Sequence, residues 1–114
     1  MIKIDIVSGS AKKLIHSLEL KGHAGYADSG YDIVCAAVSS QVISVENSLQ
    51  QLLSIPVHSD VNELEGGYLK LQVPQTGHRE TDQQGQLLLR HLCLSLEVLA
   101  ENYPEFISIK YTYQ

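Results

Sequence analysis

KLIHSLELKGHAGYADSGYDIVCAAVSSQVISVENSLQQL, residues 13–52, changes its hydrophobic period partway along, and that change decides the fold. From about Lys13 to Lys21, Leu18, Leu20 and small Gly22 alternate against Ser17, Glu19 and Lys21, the period of a strand with one buried face. From Val34 onward, Val38, Val42, Val45, Leu49 and Leu52 follow at spacings of three and four, the stripe of a helix that buries one side and ends before Pro56. Its β-branched valines have only middling helix propensity, so this helix depends on tertiary packing. Ala24 to Tyr31, AGYADSGY, joins the two as a loop in which Gly25 and Gly30 allow backbone angles closed to other residues.

Upstream, Ile2, Ile4 and Ile6 alternate with Lys3 and Asp5, and Ser8-Gly9-Ser10 supplies the turn of a hairpin. Downstream, segments from His58 to Leu64 and from Tyr68 to Val73 flank Glu65-Gly66-Gly67, giving a second hairpin whose inward row is Leu69, Leu71 and Val73. Leu89, Leu92, Leu96, Leu99 and Tyr103 mark a second helix, with Thr81 or Asp82 to cap it and Pro104 to stop it. Phe106 to Tyr113 forms a last strand, with Ile107, Ile109, Tyr111 and Tyr113 on one face. The order ββαββαβ predicts a single α+β domain over residues 1–114, a mostly antiparallel or mixed sheet with two helices on one face. Strand order does not follow from the pattern.

Thirteen acidic against eight basic side chains give a net charge of -5 with no Lys/Arg cluster, which argues against a surface that tracks nucleic-acid phosphates. No apolar run approaches the roughly 18 residues of a membrane span, and the start lacks the continuous apolar segment of a secretory signal. A soluble, unprocessed, cytoplasmic chain is expected. Its two cysteines form no CxxC and are expected to be reduced. His16, His58, His78 and His91 have no metal-ligand spacing, so neither a metal nor another cofactor is expected.

Chemistry concentrates in Gly22 to Ser39, GHAGYADSGYDIVCAAVS. With Asp32 as N-cap, Cys35 falls in the first helical turn, where unpaired amides and the helix dipole favour an anion on sulfur. His23 is the natural base, able to take the thiol proton and return one to a leaving amine. Amides around Cys35 and Ala36 are candidates for an oxyanion hole. Asp32, or less directly Asp28, is placed to orient His23, although capping explains an Asp at position 32 equally well. Ser39 lies one turn beyond Cys35, facing either the site or a carbonyl of its own helix. The plain alternative is that Cys35 is a small buried hydrophobe, which is the reading adopted for Cys93 among its leucines.

The same run, with GHA, a short Gly-containing loop and DIVCAAVS, resembles the ribosomal-processing cysteine protease Prp family, and the likeness extends more loosely over the whole chain. The resemblance implies an endopeptidase that removes an N-terminal extension from the precursor of the twenty-seventh large-subunit ribosomal protein, cutting after an aromatic pair. It implies Cys35 as nucleophile, His23 as the essential histidine, and Asp32 and Ser39 as polar helpers. It also implies a flap over the substrate that includes Gly25, Tyr26, Asp28, Gly30 and Tyr31, and a homodimer. Two other functions compete: a ribosome-assembly module that binds a ribosomal protein or its extension without chemistry, and a thiol redox sensor, which lacks a nearby resolving cysteine.

Overall fold

A computed structural model describes residues 1–9, 14–22, 30–62 and 67–114. Among these residues five strands and two helices follow one another as β1 (Ile2–Ser8), β2 (Ile15–Lys21), α1 (Tyr31–Gln51), β3 (His58–Asn62), β4 (Tyr68–Gln72), α2 (Arg79–Asn102) and β5 (Ile107–Tyr113). The strands form one mixed sheet in the order β3-β4-β2-β1-β5, in which only β1 and β5 run parallel. This is the expected α+β architecture. Each helix carries the chain across the sheet, α1 from β2 to one edge and α2 from β4 to the other.

Register explains the single core. Ile4 faces Leu20 and Ile109, Leu20 faces Leu69, and Ile6 faces Leu18 and Tyr111, so the apolar row of each strand continues into the next. Residues directly opposite one another share a face, and a slip of one position would turn the whole row to solvent. Against this face lie Val34, Val38, Val42, Val45 and Leu49 of α1 and Leu89, Leu92 and Leu96 of α2, all buried. The opposite face carries Lys3, Asp5, Glu19, Lys21 and Lys110, and among the described residues no helix packs over it. Edge strand β3 is exposed throughout, and even its inward Val61 remains 58% exposed.

At one end of the sheet the register shifts between Val7 and Ser8, so that Ser8 pairs with Ile15. The backbone of Ile15 finds its partner in a side chain, with the Gln86 amide accepting from Ile15 N–H at 2.8 Å and donating to its carbonyl at 3.0 Å. Burying Gln86 is tolerated because both its polar atoms are satisfied.

Both helix starts differ from expectation. Helix α1 begins with Gly30 as N-cap, not Asp32, because Gly30 adopts φ 104°, a conformation glycine reaches readily, and the chain turns into the helix there. Helix α2 begins at Arg79 with His78 as N-cap, ahead of Thr81 and Asp82. Asp82 instead reaches back to the preceding turn, accepting from the Thr76 amide at 2.9 Å, the Thr76 hydroxyl at 2.8 Å and the Gly77 amide at 3.2 Å. Those bonds hold its carboxyl below the usual range, Thr76 contributing most. The expected strand from His58 to Leu64 is observed to Asn62, and its last two residues lie outside the described ones.

Candidate active site

The first residues of β1 and β5, the last of β2 and the start of α1 meet at one end of the sheet. Backbone bonds from Ile2 N–H to the Phe106 carbonyl at 2.7 Å and from Gly22 N–H to the Gly67 carbonyl at 2.9 Å close that end. Gly22 leaves β2 with φ 83°, and a Cβ there would come within 2.6 Å of the Met1 carbonyl oxygen. Glycine is therefore required by backbone angle and by space together.

The Gly22 carbonyl is the focus of the site. The Tyr31 hydroxyl donates to it at 2.6 Å, and the Cys35 thiol approaches it at 3.8 Å. Tyr31 is the first residue of α1; its ring meets that of Phe106 edge to face with centroids 5.6 Å apart. The Met1 nitrogen stands 3.4 Å from the same hydroxyl. Burial, then the neighbouring Cys35 sulfur and its hydrogen bond, raise the Tyr31 phenol above its ordinary value, so it remains a protonated donor.

Cys35 is 4% exposed and continues the apolar stripe of α1 beside Val34 and Val38. Its sulfur, unlike those neighbours, has a carbonyl and a hydroxyl beside it. Cys93 differs in kind: burial first, and then the Glu97 charge, push its thiol up to about 11. Both cysteines are free.

The earlier start of α1 alters the amide inventory. The helical ladder opens with Val34 N–H to the Gly30 carbonyl at 3.1 Å, so the amides of Cys35 and Ala36 fall inside it and are committed to carbonyls one turn back. That is a less open position for an oxyanion hole than a helix start at Asp32 would give them. The amides ahead of the ladder belong to Tyr31, Asp32 and Ile33, and the Asp32 carboxylate accepts from that of Ile33 at 3.0 Å. Asp32 is exposed, as is Ala36, while Ser39 is half-buried one turn beyond Cys35. Gly30 and Tyr31, read from sequence as loop, are the cap and first residue of the helix. His23, Gly25, Tyr26 and Asp28 lie outside the described residues.

What sequence reasoning missed is the convergence of the Tyr31 hydroxyl on Gly22. A tyrosine four residues before the cysteine was the available signal, since that spacing puts both on one helix face once the helix is known to begin at Tyr31. Among the described residues no three His, Cys, Asp or Glu side chains converge as a metal site would require, and no helix is long and apolar enough to cross a membrane.

A family model described as "Cysteine protease Prp" matches residues 1–108. The Ribosomal processing cysteine protease Prp of Bacillus subtilis is 33% identical over 100 residues, covering 88% of each chain. SMU.848 from Streptococcus mutans superposes with a TM-score of 0.89 at 36% identity, covering 100% of this chain and 96% of its own. An essential ribosomal processing protease Prp from S. aureus, solved with a substrate peptide, superposes with a TM-score of 0.79 at 27% identity, covering 98% of this chain and 100% of its own. The same protease with a covalently linked product peptide gives a TM-score of 0.75 at 29% identity, with 98% of this chain and 100% of its own covered.

Proposed function

The chain belongs to the Prp family of cysteine proteases, and from that membership we propose that it removes the N-terminal extension from the precursor of the twenty-seventh large-subunit ribosomal protein, with Cys35 as nucleophile and His23 as base. One observation carries the assignment of the pair. The Cys35 sulfur lies 3.8 Å from the Gly22 carbonyl, and that carbonyl belongs to the peptide unit whose nitrogen is that of His23.

The steps follow from acyl-transfer chemistry. The imidazole takes the thiol proton, and the sulfur attacks the scissile carbonyl carbon, whose π electrons move onto oxygen. On collapse the carbonyl re-forms, the carbon–nitrogen bond breaks, and the imidazolium proton passes to the departing amine. The N-terminal fragment remains as a thioester on Cys35. Water, its proton taken by the imidazole, then attacks the thioester carbon, and the thiol leaves with that proton. A covalently linked product peptide in the S. aureus relative supports a route through such an adduct. Asp32 and Ser39 are assigned supporting roles at the same helix end.

Work on a ribosomal precursor assigns the chain to the cytoplasm. The reading includes a homodimer; the exposed apolar side chains Ile33, Leu87, Leu94 and Val98 of the helices supply surface for one.

The test is cleavage of a peptide spanning the extension and the first residues of the mature ribosomal protein. A single cut is expected, with His23→Ala slower by about a thousandfold or more. A peptide left intact by the native chain, or cut at the native rate by His23→Ala, would overturn the proposal. Stable binding of an uncut peptide would favour the assembly-module function instead.

A further inference from the structure

The oxygen of Gly22 is shared by two donors of different strength. It sits 2.6 Å from the Tyr31 hydroxyl, a short contact, and 3.8 Å from the Cys35 sulfur, a long one. Three parts of the chain are thereby tied at a single atom: the end of β2, the first residue of α1 and its fifth. Edge-to-face packing on Phe106 fixes the ring, so the hydroxyl is delivered to this point by packing and not by chance rotation. Tyr31 and Cys35, one helical turn apart, converge on this one oxygen from the same side of α1.

The arrangement suits a thiol and not a thiolate. While sulfur carries its proton, the Gly22 carbonyl is an acceptable neighbour; once sulfur is an anion, the same oxygen faces it with like partial charge. A group able to donate to either atom resolves the conflict, and the phenol, with one rotatable proton, is that group. We infer that Tyr31 is a positioning residue for the thiol chemistry, clamping the Gly22 carbonyl in the resting state and turning its hydroxyl to the Cys35 sulfur when the sulfur ionises. The inference rests on the reading of Cys35 as nucleophile. Raised by burial and by the sulfur, the phenol keeps its proton while it does so. The Met1 nitrogen also stands by the hydroxyl, from the β1 side; Phe106, on the β5 side, brings no charge, and the exposed Asp32 carboxylate on the same turn is held by the Ile33 amide.

Tyr31→Phe keeps the ring and removes the hydroxyl. On the full chain, kcat for the precursor peptide should fall about tenfold, the scale of one hydrogen bond to a charged group, with KM within about twofold. The pH midpoint for alkylation of Cys35 by iodoacetamide, followed by mass spectrometry, should move upward. Phe106→Leu, which loosens the ring but keeps the hydroxyl, controls for packing and should lower the melting temperature while moving that midpoint less than Tyr31→Phe does. An unchanged kcat and midpoint in Tyr31→Phe, or an equal movement of the midpoint in both variants, would overturn the inference. Failure of the underlying site reading looks different, because Cys35→Ala would then still cleave.

Discussion

Replacing Cys35 with alanine will lower kcat/KM for a susceptible peptide by about four orders of magnitude or more, with the fold retained. The size follows from what is lost: without sulfur no thioester forms, and water must attack the peptide directly with only residual binding and polarisation to help, as in other enzymes stripped of their nucleophile. Retention of the fold follows from position. Alanine suits a helix better than cysteine does, and Val34, Val38 and Val42 keep the buried stripe of α1. The check is a progress curve of peptide cleavage beside a thermal melt. Cys93→Ala is the control, because a thiol pushed up to about 11 by burial and by Glu97 is a poor nucleophile near neutrality.

Gly22→Ala will also be strongly damaging, although Gly22 takes no part in any chemical step. At φ 83° an alanine is strained by about 1–3 kcal/mol. Its Cβ would also meet the Met1 carbonyl oxygen at 2.6 Å, backbone against backbone, so the strand end must move. Tyr31 and Cys35 both reach the Gly22 carbonyl, and His23 is the next residue, so displacement there disturbs both contacts and the attachment point of His23 at once. Misplacement by about 1 Å commonly costs about a hundredfold in rate. We expect a loss of activity of at least that size, measured as kcat/KM, together with a fall in melting temperature. A variant with the native rate would show that the Gly22 carbonyl does not organise the site.

Much of the fold was legible because its periods are local. Ile2, Ile4 and Ile6, the valine stripe from Val34 and the leucines from Leu89 each announce their element within a few residues. Strand order was not legible, since the β3-β4-β2-β1-β5 arrangement depends on pairings between distant segments that no local pattern encodes. Helix starts were misread for a common reason. Asp32 and Asp82 are good caps by type, but Gly30 at positive φ begins α1 before Asp32 is reached, and Asp82 is engaged with Thr76 and Gly77. That shift of a few residues matters for the chemistry, because it puts the Cys35 and Ala36 amides inside the helical ladder. Residue types in the Gly22–Ser39 run pointed to thiol chemistry; the meeting of Tyr31 and Cys35 at one carbonyl is a three-dimensional fact that the sequence does not state.

Rapid acid quenching of the chain with excess precursor peptide, followed by intact-mass and fragment analysis, tests the central claim most directly. The account predicts a transient adduct equal in mass to the N-terminal fragment less one water, carried on Cys35 and absent from Cys35→Ala. Cleavage that proceeds at the native rate in Cys35→Ala, or an adduct found on Cys93 instead, would contradict it.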